Sequence, residues 1–205
     1  MNRKNIITNG NAKLGSNIGN INMPKGLTCR PDAPCKRGCY CNHGKMGLKA
    51  VVQSHFEKLQ RFNEDPKGFF EQLYYELQLV PYKYVRYHSS GDIVNEQYLE
   101  GMFWLARRCP NTYFLCFTKK YEMVNNYLDH HRKPKNLVIT LSNWGDWLAD
   151  NPHNLPTSWV RFGQESDSLI PKNAMECNGF CGDCVFTNSH CWRMQKGDSV
   201  VFKKH

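Results

Sequence analysis

The chain has 205 residues and a mass of 23.9 kDa, with 40% hydrophobic and 22% charged residues. That composition supplies a core for one good-sized domain and excludes a fully disordered chain. No apolar run approaches the roughly 18–20 residues that cross a bilayer, and the basic start MNRKNIITNGNAKLG lacks the continuous apolar stretch of an export signal. A cytoplasmic protein with no membrane partner is expected. The formal net charge of +9 is concentrated at the front: residues 1–50 hold nine Lys and Arg against one acid, Asp32. Such a segment suits nucleic acid, the negative charge of metal-bound thiolates, or a solvated positive face.

In chain order, residues 1–46 read as irregular, with recurring Asn and Gly and the punctuated run PDAPC. From Met46, apolar spacing through Leu48, Val51, Val52, His55, Leu59 and Phe62 predicts a helix. A second helix restarts at Asp65-Pro66 with Phe70, Leu73, Leu77 and Val80 on one side. Residues 82–88 (YKYVRYH) read as a strand running into the polar turn Ser89–Asp92. Asn95–Arg108 reads as a helix, Thr112–Thr118 as a strand, Lys120–His130 as a helix and Asn136–Ser142 as a strand, with Ser158–Phe162 a shorter strand. Strands alternating with helices imply βα units. The expected fold is α/β, a partial (β/α) barrel or an open, mostly parallel sheet: one domain with an irregular front (1–46), a core (47–170) and a cysteine-rich end (171–205). Ligands in such folds gather beyond the carboxyl ends of the strands. That rule places His88, Ser89, Ser90, Gly91, Asp92, Thr118, Ser142, Asn143 and Gln164 near a site.

Ten cysteines carry most of the chemical information. Cys177, Cys181, Cys184 and Cys191 lie in CNGFCGDCVFTNSHCW, and Cys29, Cys35, Cys39 and Cys41 in TCRPDAPCKRGCYCNHGK. In a reducing compartment such groups read as metal ligands rather than disulfides, and thiolates suit iron–sulfur clusters and zinc alike. In the front group Cys41 follows Cys39 too closely to be an independent ligand and reads as a spare, and three cysteines leave one iron of a four-iron cluster open. His43, His130, His131 and His205 are further ligand candidates. Cys109 and Cys116, alone mid-chain, read as core residues.

The string CKRGCYC resembles the cluster motif of radical S-adenosylmethionine (SAM) enzymes. Its second gap holds one residue instead of two, and the matching three-and-two spacing falls at Cys177, Cys181 and Cys184. Over most of the chain, KLGSNIGNINMP, TCRPDAPCKRGCYCNHGK, VRYHSSGD, FTKK, CGDC with CW, and VVFKKH resemble the phage-encoded gene product 88 family. The resemblance implies a cysteine-ligated centre on a compact α/β domain, acting in the bacterial host. By analogy with the glycine turn of radical-SAM proteins, Ser90, Gly91 and Asp92 are candidates for holding SAM or another small molecule.

Three functions are therefore expected to compete. One is an enzyme with one or two 4Fe-4S clusters and a small-molecule substrate or electron donor. The others are a nucleic-acid-binding protein stapled by zinc or iron–sulfur centres, and a small electron carrier.

Overall fold

The computed structural model describes residues 4–187 and 190–204. Arg3 and the candidate ligand His205 lie outside the described residues. Eight strands form one sheet: β1 (Thr8–Asn9), β2 (Ile18–Ile21), β3 (Tyr84–Tyr87), β4 (Tyr113–Thr118), β5 (Leu137–Ser142), β6 (Thr157–Arg161), β7 (Met175–Glu176) and β8 (Ser199–Lys203). Their spatial order is β1-β2-β3-β4-β5-β6-β8-β7. Every neighbouring pair is parallel except β1 with β2. The sheet is open: among the described residues its outer strands, β1 and β7, do not pair with each other.

Among the described residues six α-helices accompany it: α1 (Lys49–Glu64), α2 (Pro66–Leu79), α3 (Glu96–Arg108), α4 (Tyr121–His130), α5 (Cys181–Thr187) and α6 (His190–Arg193). Local chemistry sets the starts of two of them. The Asp65 carboxylate accepts from the Gly68 N–H at 2.9 Å with Pro66 in the first turn of α2, and the Asn95 side chain accepts from the Tyr98 N–H at 2.9 Å at the start of α3. No helix among the described residues is long and apolar enough to cross a membrane.

Strand alternation gives the two faces of the sheet different partners. Val85, Tyr87, Phe114, Cys116, Leu137, Ile139 and Leu141 pack with Phe62, Phe70, Leu73, Tyr98 and Phe103 from the helices, and Cys109 joins this core. Tyr84, Leu115 and Val138 point the other way, against Val185, Cys191, Trp192 and Met194 from the end of the chain. We call this second surface the inner face.

Two sequence expectations need correction. The front segment is not irregular throughout: β2 lies within it, is buried at all four positions and pairs along its length with β3. Its strand character is masked because Gly19 leaves room for its neighbours. A Cβ there would meet the Tyr82 ring at 3.0 Å and Ile7 at 3.1 Å. The end of the chain likewise supplies β8, buried over Ser199–Val201. The outer apolar positions assigned to the first two helices also fall away, with Leu48 and Val80 exposed.

Two buried histidines make the fold sensitive to acid. Burial holds His55 down at about 4 and His88 at about 3, with nearby Lys and Arg adding to the effect. The unfolded chain binds these protons near the ordinary value of 6.5. Their stabilising contribution is therefore complete above that value and is lost as pH falls, by up to about 1.4 kcal/mol per pH unit for each histidine. Urea midpoints measured between about pH 7 and about pH 4.5 are expected to fall with acid, and His55→Gln is expected to flatten the dependence.

Candidate functional site

The carboxyl ends of β2 to β6 share one edge of the molecule, and the front cysteine loop lies across it. The loop leaves β2 and closes back on the turn after β3 through a run of hydrogen bonds. The Met23 N–H donates to the Ser90 carbonyl at 3.0 Å, and the Ser90 N–H donates to Asn22 Oδ1 at 3.1 Å. The Ser89 hydroxyl donates to Asn20 Oδ1 at 3.1 Å, and the Ser89 carbonyl accepts from the Tyr40 hydroxyl and from Cys41 Sγ at 3.4 Å. Lys25 Nζ donates to the Cys41 carbonyl and to Asn42 Oδ1, both at 2.6 Å.

Asp92 fastens this assembly to a third strand. Its carboxylate accepts from the Thr118 hydroxyl at 2.6 Å, the Ile93 N–H at 2.8 Å and the Lys119 N–H at 3.0 Å. Its own N–H donates to Thr28 Oγ1 at 2.9 Å. Burial pushes its carboxyl up from the usual range while these donors pull it back.

The front thiols gather here. Burial pushes Cys29 up, opposed by the Gly26 N–H, while Asp92, Cys35 and Cys39 are close enough to raise it further. Cys39 is pulled down to about 6, first by the Cys41 thiol, with Lys25 and Lys119 adding their charge. Cys41 moves up in the same exchange.

The rear cysteines form a second group under the inner face. The Cys177 N–H donates to the Val201 carbonyl of β8 at 2.9 Å, and the Cys181 N–H to the Lys13 carbonyl at 2.8 Å. Cys191 is buried in the inner-face core, where burial, then Cys181, Cys177 and Cys184, push its thiol up to about 12. Cys181 and Cys184 are also raised, burial being the largest cause for each. Among the described residues no three Cys, His, Asp or Glu side chains converge on a single metal-ion position.

Other expected positions serve the framework. Asn143 Oδ1 accepts from the Ala149 N–H at 2.7 Å, Ser142 Oγ accepts from Ser158 at 3.1 Å, and Gln164 is exposed ahead of the turn at 165–169. His88 is buried, its Nε2 3.3 Å from the Tyr98 hydroxyl. His43 is exposed in the front loop. His130 ends α4, and His131 stacks on Tyr127 at 4.1 Å, both away from this edge.

Sequence reading missed Arg86. It stands on the inner face, its guanidinium 4.7 Å over the Phe117 ring and its Nε buried without a hydrogen-bond partner. Its charge reaches Tyr40 of the front loop and Cys181 and Cys191 of the rear group. Alternation within VRY was the available signal, since a cation at an inward strand position requires a reason.

Gly91 decides how closely the loop can approach. Its φ is +80°, and a Cβ there would lie 2.6 Å from both the Met23 carbonyl oxygen and Thr28 Oγ1. Gly91→Ala is expected to destabilise the fold by about 2 kcal/mol. It is also expected to speed iodoacetamide labelling of Cys29 and Cys35; a urea titration and mass-spectrometric labelling rates measure both.

The family model described as Gene product 88 matches residues 1–204. No curated protein and no solved structure matches the chain.

Proposed function

As the chain belongs to the gene product 88 family, we propose that its front cysteine loop seats an iron–sulfur centre in an enzyme of radical-SAM type. One observation carries this reading: the loop holding Cys29, Cys35, Cys39 and Cys41 follows a parallel strand and is fastened to the glycine turn after the next strand. Thiols and turn therefore share the edge where α/β sheets place their chemistry.

The donor types suit such a centre. The thiols are soft ligands, Cys29, Cys35 and Cys39 are half-buried, and Lys25 and Lys119 supply positive charge beside Cys39. Cys29, Cys35 and Cys39 would hold it. Cys41, buried and hydrogen-bonded to Ser89, is the spare. A bound cluster would supply one-electron transfer, and three-cysteine ligation would leave a position for S-adenosylmethionine.

The protein's own contribution is orientation. Asn20, Asn22 and Thr28 engage the turn, and Asp92 spends its oxygens on Thr118, Lys119 and Ile93, so Asp92 acts as a brace. Any cosubstrate contact at Ser90–Asp92 then falls to atoms these bonds leave open. The rear group would have a structural role in this reading: Cys191 lies in the inner-face core with Cys177 and Cys181 packed against it, and a metal held by the four cysteines would tie α5, α6 and the end of β7 to that face. A site closed by four ligands contributes directly to folding.

Protein purified without oxygen is expected to be brown and to contain iron and sulfide in near-equal amounts, with a paramagnetic resonance signal that changes when SAM is added to the reduced sample. Single replacement of Cys29, Cys35 or Cys39 by Ala is expected to abolish the SAM-responsive signal, while Cys41→Ala retains it. Cys181→Ala and Cys191→Ala are expected to lower yield and stability. Colourless protein with stoichiometric zinc would overturn the reading, and equal iron loss from all four front variants would remove the open position.

A further inference from the structure

We infer that the carboxyl edge of the sheet binds single-stranded nucleic acid, bases lying on its aromatic rings and phosphates on the cations that flank them. Two strings, each a pair of touching rings with a cation at either end, run through this end of the molecule. Along the rim, Lys119 Nζ lies 5.5 Å from the Trp144 ring and Trp144 meets Phe162 edge-on at 5.1 Å. Lys204 Nζ follows at 5.5 Å from the Phe162 ring. On the inner face, Arg86 lies over Phe117, Phe117 meets Phe202 at 5.7 Å, and Lys13 Nζ lies 5.1 Å from the Phe202 ring.

All four rings are only half-buried. A second observation comes from beneath the rings. Thr140 is fully buried, and its hydroxyl and the buried Nε of Arg86 have no hydrogen-bond partner. By strand register Thr140 neighbours Phe117 and shares the inner face with Val138. Two unpartnered polar atoms thus lie buried on the inner face.

The repeating pattern selects the ligand. A single strand presents a π-face and a negative charge in every unit, which suits paired rings flanked by cations. A duplex hides its base faces. The basic front segment extends the field, since Lys36, Arg37, Lys45 and Lys49 are exposed around the cysteine loop. Nearby acids are partly committed: Asp167 accepts the Phe162 and Gly163 N–H groups, and Glu176 pairs with Arg161. That the bound strand is also the substrate rests on the reading of the cysteine loop above; binding itself does not.

Fluorescence anisotropy with the full chain, purified without oxygen, tests this. The probes are a labelled oligothymidylate about 20 nucleotides long, the matching oligouridylate and a duplex of equal length. Both single strands are expected to bind more tightly than the duplex. Trp144→Ala is expected to weaken binding roughly tenfold. Lys204→Glu is expected to weaken it and to reduce the log–log salt slope by at least about 0.7. Lys67→Glu, on the exposed side of α2, is expected to change nothing. Absence of binding at low salt, a duplex bound as tightly as the single strands, or equal losses in Lys67→Glu and Lys204→Glu would overturn the inference. Iron assayed on the same samples separates the two readings. Binding without iron counts against the cysteine-loop centre alone, and iron without binding counts against the strand-binding edge alone.

Discussion

The Asp92 carboxylate is the point through which the site is held together. It is buried, a position that costs an ionised group much of its hydration, and the structure offsets the cost with three donors from two segments of chain. Those donors join the end of β4 to the turn after β3. The Asp92 N–H, through Thr28, joins that turn to the loop after β2. Lys120 adds positive charge close by. Each carboxyl end of a parallel sheet would otherwise carry an independent loop. Here three of them move as one piece, and the front cysteines ride on it.

The two faces of the sheet divide the remaining work. The helical face is a dry aromatic core in which Phe62 meets Tyr98 edge-on at 5.0 Å and Phe103 meets Tyr127 at 5.0 Å. It supplies most of the burial that stabilises the fold. The inner face is apolar at its lower end, around Tyr84, Leu115, Val138 and Trp192. Toward the carboxyl edge it turns polar, with Asn20, Arg86, Thr140 and Ser142. The main apolar core and this polar surface thus occupy opposite sides of the same strands, and the two-residue strand period keeps them apart.

Much of this was legible in the sequence, and the failures have physical causes. The middle of the chain announced itself because its helices are amphipathic and begin at recognisable caps, Asp65 and Asn95. The strands β4 and β5 read as apolar runs because both their faces are covered. β2 stayed hidden because two of its four residues are Gly19 and Asn20, chosen for a close neighbour and a loop contact. The cysteine groups were visible as residue types, but which end of the sheet they reach depends on β2 being a strand. The Ser89–Asp92 turn was placed correctly at a strand end. Its internal role could not be read, because Thr28 and Thr118, which define it, are distant in sequence. Arg86 was missed for the same reason: its surroundings come from the front loop and from the last thirty or so residues, which only the fold brings together.

The charge of the front segment can now be apportioned. Part of it is committed inside the molecule. Lys25 holds Cys41 and Asn42, and Arg30 pairs with Asp32 while lying over Trp147. Part of it stays on the surface around the loop, at Arg37, Lys45 and Lys49. Thiolates that bind a metal bring negative charge into a half-buried place, and fixed cations nearby lower the cost of keeping them deprotonated. The same cations favour any polyanion that approaches the edge from solvent. A positive segment threaded between the cysteines, rather than set out on a separate helix, therefore suits both the cysteine-ligated centre and the bound strand proposed above.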